Sequence, residues 1–135
     1  MPKIFGLNLV GVLVAAVAFF MVGWVWYGML FSEAYMAANG MTEADAGMSP
    51  AWMASGFVIT LLQVIGIGLV LKWKGASGLV DAAKAAVVIW FFFALPFATY
   101  AYIYSVAHDS TLLLIDAGHL LLGWVVSAAV LALIK

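Results

Sequence analysis

Residues 4–31, IFGLNLVGVLVAAVAFFMVGWVWYGMLF, decide the fold: with Ser32 they form 29 consecutive uncharged positions between Lys3 and Glu33. A hydrocarbon layer about 30 Å thick needs only about 20 helical residues, so Ile4–Phe31 is expected to cross a membrane. Three further stretches repeat the pattern, and the helices are expected at about 4–31, 51–71, 82–107 and 112–134. The whole chain, 1–135, then forms a single membrane domain. The expected fold class is all-α: a polytopic, antiparallel four-transmembrane-helix bundle with a longer outer loop, 32–50.

Composition agrees. The chain has 135 residues, 68% hydrophobic and 8% charged, where a soluble domain carries about 25% charged residues. Net charge is -1, and the basic residues are five lysines with no arginine, so the footprint needed to neutralise nucleic-acid phosphates is missing and no nucleic-acid partner is expected. Without cysteine there is no disulfide, thiolate nucleophile, iron–sulfur ligand or thiolate zinc site. A cleaved leader is not expected either. Lys3 and the Ala16-Val17-Ala18 triplet resemble one, but the apolar run continues to Phe31, too far for a signal core.

Lysine placement predicts orientation. Four spans put both termini and the connection between the second and third helices on one side, which collects Lys3, Lys72, Lys74, Lys84 and Lys135, every lysine in the protein. Both termini are expected to be cytoplasmic. Trp24, Trp26, Tyr27, Trp52, Tyr100, Tyr102 and Tyr104 gather at the opposite, outer interface. In the outer loop, Ser32 is expected to cap a short helical turn ending at Asn39-Gly40. Thr42–Asp45 can start a second turn, and Ser49-Pro50 can cap the second span.

Polar groups at depth carry the functional information, because lipid satisfies none of them. On the last helix Asp116 and His119 are spaced i, i+3, and Gly123 and Ser127 continue the stripe, giving a face expected to point into the bundle. On the second helix Thr60 and Gln63 share a stripe, and Gln63 should face another helix. Three readings compete for Asp116 and His119: an interfacial acid with an imidazole satisfied in the bundle interior, a structural hydrogen-bond network between helices, and a proton relay, solute or metal site. For Gln63, polar glue between helices competes with a substrate contact. Gly11 and Ala15 on the first helix, Ala94 and Ala98 on the third, and Gly123 and Ser127 on the fourth form small-residue packing or interface faces. Pro96 should kink the third span. The indoles of Trp90 and Trp124, away from the interfaces, should each find a buried partner.

No catalytic signature is present: no phosphate loop, nucleophile elbow or zincin motif occurs. Ser127 and His119, eight residues apart on one helix, cannot touch. A metal site lacks ligands, because the only other histidine is His108, and that pair is too far apart along a helix to hold one haem. No enzyme, cofactor or metal is expected.

Several segments together resemble a known family: Asn8-Leu9-Val10 and the Ala/Val-rich helix, Gly23, the exit Trp26-Tyr27-Gly28-Met29-Leu30-Phe31, Tyr35-Met36, Gly40–Asp45, and the closing helix from Ile115 through His119, Leu122 and Gly123 to Ile134. They resemble the small bacterial membrane family catalogued as domain of unknown function 1761. After the exit this chain carries Glu33-Ala34-Tyr35 where the family often has Lys-x-Trp. The resemblance implies a four-helix integral protein of about this length, hence of the bacterial cytoplasmic (inner) membrane, and no activity. The extent of small-residue faces against the scarcity of chemistry makes the expected function association within the lipid bilayer, as a homo-oligomer or as an accessory of a membrane assembly. The alternative is a small proton-coupled transporter or channel using the polar residues of the second and fourth helices.

Overall fold

The computed structural model describes residues 2–39, 50–104 and 109–135. Gly40, the Thr42–Asp45 turn, the Ser49 cap and His108 lie outside the described residues. Six α-helical segments run α1 (Leu9–Val25), α2 (Ser32–Asn39), α3 (Pro50–Lys74), α4 (Gly78–Ile89), α5 (Leu95–Tyr104) and α6 (Ser110–Leu133). A π-helical turn, Trp26–Leu30, prolongs α1, and another, Trp90–Ala94, joins α4 to α5. Four continuous helical stretches are thus long and apolar enough to cross a membrane: Leu9–Leu30, Met53–Lys74, Gly78–Tyr104 and Ser110–Leu133.

The start of the first span differs from expectation. Strands β1 (Lys3–Ile4) and β2 (Leu7–Asn8) pair as a hairpin, Lys3 opposite Asn8 and Ile4 opposite Leu7, so the helix begins at Leu9 rather than Ile4. Two residues cause this. Phe5 (φ 52°) and Gly6 (φ 78°) both adopt the left-handed conformation that a two-residue hairpin turn requires. Asn8 then caps α1, its Oδ1 accepting the backbone N–H groups of Val10 (2.9 Å) and Gly11 (3.4 Å).

Three boundaries move outward for similar local reasons, while the first and last spans end one residue short of expectation, at Leu30 and Leu133. α3 runs three residues past the expected Leu71. It closes in a Schellman motif: Ala76 N–H donates to Leu71 O, Gly75 N–H donates to Lys72 O, and Gly75 sits at φ 70°. α4 starts at Gly78 instead of 82, with Asp81 accepting from Ser77 N–H (3.0 Å) and from Lys74 Nζ (2.9 Å). α6 starts at Ser110, capped by Asp109, whose Oδ1 accepts from Thr111 N–H and Leu112 N–H. Ser32 is the first residue of α2 rather than the residue preceding it. The interruption expected from Pro96 takes the form of the π turn just upstream, where Leu95 N–H reaches back to Trp90 O. Pro96 has no N–H for the Phe92 carbonyl, and the ladder steps to the wider spacing there.

α6 is the hub of the packing, touching α1, α2, α3, α4 and α5, while α1 also packs on α3. Between apolar helices in lipid the drive is close van der Waals fit, which small residues permit. The fit here is large side chain into glycine. A Cβ on Gly123 would lie 2.3 Å from Phe19, one on Gly118 2.9 Å from Trp26, and one on Gly68 2.6 Å from Leu7. Val12, Ala15, Ala16, Phe19, Val64 and Ile65 form one buried cluster; Ile67, Ala82, Ala86 and Ala128 form another. The third span is the peripheral one, packing chiefly on α6, and just 11% of its most apolar window is buried.

Candidate functional site: a tyrosine–aspartate–histidine cluster beside an intramembrane cavity

The site begins where α1 loosens. In the π turn Trp26–Leu30, Phe31 N–H bonds Trp26 O at 2.9 Å, five residues back. Such turns insert one residue per turn and re-aim the side chains around them. Here Trp26 and Tyr27 both meet α6: Trp26 Nε1–H donates to Ile115 O (2.9 Å), and Tyr27 Oη–H donates to Asp116 Oδ1 (2.5 Å). A hydroxyl on a carboxylate within a membrane span is a short, charge-assisted bond, and it lowers the cost of holding Asp116 away from water.

His119 joins through the same tyrosine. Its imidazole lies edge-on to the Tyr27 ring (centroids 4.9 Å) and tilted against Phe19 (5.4 Å). Gly23 makes room for it, since a Cβ there would stand 3.0 Å from His119 Nε2. From the other side Tyr35 of α2 packs edge-on against Tyr27 at 4.8 Å. Burial, and the negative Asp116 nearby, raise the Tyr35 phenol above its ordinary pKa. Across α6, Trp90 opens the second π turn and donates its indole N–H to Ala117 O (2.8 Å). Two tryptophan-led π turns therefore bracket Asp116 on the α6 backbone.

A cavity of about 350 Å³ opens beside this cluster, lined by His119, Tyr27, Phe19, Gly23, Thr60 and Gln63 among others. Gln63 is held there by α6: its Oε1 accepts from Trp124 Nε1–H (2.8 Å), while its Nε2 donates to Ile59 O (3.3 Å). Thr60 is buried, with its hydroxyl donating to Gly56 O (2.9 Å). Toward the lysine-bearing end, Val12, Ala15, Ala16, Phe19 and Val64 are packed to 1% exposure or less and seal the floor. Asp116 itself faces a smaller cavity, about 130 Å³, shared with Ala98, Tyr102 and Asp109.

The four sequence-predicted polar residues divide accordingly. His119, Thr60 and Gln63 line one cavity, Asp116 lines another, and Tyr27 links Asp116 to His119. The small residues are spent inside the chain. Gly11 lies against Ile134, Ala15, Ala94 and Gly123 are buried, Ala98 lines the small cavity, and Ser127 is buried with its hydroxyl on Gly123 O. Both interior tryptophans have partners, Trp90 on Ala117 O and Trp124 on Gln63. Among the described residues no group of three or more His, Cys, Asp or Glu side chains could hold a metal ion.

Sequence reasoning did not single out Trp26, Tyr27 or Tyr35 as site residues. Their position at the end of a span reads equally well as interfacial anchoring. The signal that could have found them is that an acid at the outer end of the last span needs a donor, and the outer end of the first span offers a phenol.

These features define a multi-pass membrane protein with four membrane-capable spans and a polar cluster buried within them. The chain belongs to the family described as Protein of unknown function (DUF1761), whose model matches residues 10–132. No curated protein and no solved structure matches it. Two of the segments that carry the family resemblance, Trp26–Phe31 and the start of the closing helix at Ile115–His119, meet at the site.

Proposed function

We propose that the protein is a non-enzymatic component of the bacterial cytoplasmic membrane that acts by binding a small solute or a proton at the Tyr27–Asp116–His119 cluster, as a small proton-coupled transporter or channel. The carrying observation is the pair of ionisable side chains held inside one span by a single tyrosine, next to an open cavity. Ionisable residues at membrane depth are costly and mark ion or substrate pathways. The sealed layer below His119 means that a through-path requires movement of α1 against α6 or a second chain. An antiparallel bundle with both termini cytoplasmic fits this reading. The close pairs Gly11–Ile134, Phe19–Gly123 and Trp26–Gly118 run in opposite chain directions, and all five lysines fall at one end.

One observation favours a second reading, self-association or service as an accessory of a membrane assembly. The third span exposes Phe92, Phe93 and Phe97 by 64%, 69% and 77%, a surface that either lipid or a protein partner can cover. Native mass spectrometry of the protein extracted gently from its own membranes separates the two. A retained non-lipid mass that disappears in His119→Phe supports the site, as does a proton flux in vesicles with an entrapped pH dye that Asp116→Asn abolishes. A ligand-free homo-oligomer or recurrent partner, with no flux, moves the function to the third span.

A further inference from the structure

At the opposite end of the molecule a second and larger cavity, about 490 Å³, lies among the β1–β2 hairpin, the end of α3, the turn after it and the end of α6. Three of its lining side chains are Lys3, Lys72 and Lys135, with the amide of Asn8 beside them and Leu71 and Leu131 as an apolar wall. No Asp or Glu side chain lines it. Among the described residues the one ion pair is Lys74–Asp81 (2.9 Å), which engages a lysine outside the cavity. The hairpin is shaped to this end. Its left-handed Gly6 lies where a Cβ would fall 2.1 Å from Lys72 Nζ, and Leu7 packs on Gly68, so the turn rests on the last turns of α3 and keeps the Lys72 ammonium at the cavity. Three ammonium groups with no acidic side chain among them, Lys135 Nζ donating only a long bond to Ala76 O (3.5 Å), and apolar walls at the end of the spans match an anion attached to an apolar body.

We propose that this cavity binds a phosphate-bearing anion, held by Lys3, Lys72 and Lys135. Phosphate suits the site because lysine ammoniums act as point charges that need no fixed bidentate geometry. Basic pockets between spans on the cytoplasmic side are where anionic head groups settle. The phosphate can come from an anionic phospholipid or from a soluble phosphorylated compound, and the proposal is independent of the outer site.

The test uses the full chain, delipidated in detergent and offered phosphatidylglycerol, phosphatidylcholine or inorganic phosphate, with retained adducts read by native mass spectrometry. Two variants of equal charge loss are compared: Lys3→Gln with Lys72→Gln, inside the cavity, and Lys74→Gln with Lys84→Gln, outside it. The expected result is a preference for phosphatidylglycerol that falls about fivefold per cavity lysine removed, is unchanged in the outside pair, and is restored by Lys3→Arg with Lys72→Arg. Adducts of inorganic phosphate that vanish in the inside pair assign a soluble ligand; lipid adducts alone assign the head group. Equal loss in both pairs, or no preference for either anion, overturns the proposal and leaves the lysines as complements to the C-terminal dipoles of α3 and α6.

Discussion

Tyr27 and Asp116, 89 residues apart in sequence, are joined by a hydrogen bond of 2.5 Å from the phenol to the carboxylate. That bond ties the loosened C-terminal end of the first span to the N-terminal part of the last. A hydrogen bond to a charged group contributes about 1.5–3 kcal/mol. Tyr27→Phe and Asp116→Asn should therefore each lower stability in detergent by about 2 kcal/mol. The double variant should lose clearly less than the sum, giving a coupling within the 0.5–3 kcal/mol range of touching pairs. Reversible unfolding of the four proteins of the cycle measures it, and additive losses would mean that the pair does not interact.

The glycines of the last helix are expected to be unequal to those facing open space. Gly123→Ala forces a methyl to within 2.3 Å of the Phe19 ring, which is 1% exposed and cannot swing away, so a loss of about 1–3 kcal/mol is expected. Gly66→Ala meets nothing within 4 Å and should be neutral or stabilising by up to about 1 kcal/mol, the helix-propensity gain. Thermal midpoints of the two purified variants check this contrast, which reverses if α1 and α6 do not pack as described.

Gln63 and Trp124 should behave as a unit. Gln63→Leu removes the acceptor of the Trp124 indole N–H and leaves a donor stranded among apolar groups, costing about 1–3 kcal/mol. Adding Trp124→Phe removes that stranded donor and should recover part of the loss. Chemical denaturation of the single and double variants reads the recovery; a double variant worse than the sum would contradict it.

Alkaline pH should weaken the fold through Tyr35. Its phenol is raised above the ordinary 10.0 by burial and by Asp116, so the folded state holds this proton more tightly than the unfolded chain. The stabilisation is complete below the unfolded pKa and is lost as pH rises through the folded one. Ring-labelled tyrosine resonances should show Tyr35 titrating late, and Asp116→Asn should bring that titration earlier by removing a negative neighbour. No change on that substitution would show that the two do not sense each other.

Much of the architecture was legible because membrane spans are written in long uncharged runs that need no tertiary information. Local chemistry then adjusted the ends. Asn8 competes with helix as a cap, and Phe5-Gly6 turns the chain, so residues apolar enough for a span form a hairpin instead. The two π turns were not legible, because Trp-Tyr-Gly-Met-Leu and Trp-Phe-Phe-Phe-Ala have ordinary helical composition and only their contacts with the α6 backbone distinguish them. Asp116, His119 and Gln63 stood out as polar residues at depth, yet their partners could not be read. Tyr27 and Trp124 come from distant segments and also serve as ordinary apolar or interfacial side chains. The small-residue stripes stood out as packing or interface faces, and Gly123 receives Phe19 of the same chain, just as Gly118, outside those stripes, receives Trp26.

The most direct measurement is carbon–nitrogen dipolar recoupling by solid-state NMR between the Tyr27 ring and the His119 imidazole in lipid bilayers. The His108→Gln background makes His119 the sole imidazole of a chain with two histidines. Ring centroids 4.9 Å apart predict clear recoupling that is lost in Tyr27→Phe, which removes the labelled ring, and weakens when Asp116→Asn alters the hydrogen bond that holds it. Absence of recoupling in a sample where Phe19 still contacts Gly123 would contradict the account, because α1 and α6 would then pack without forming the site.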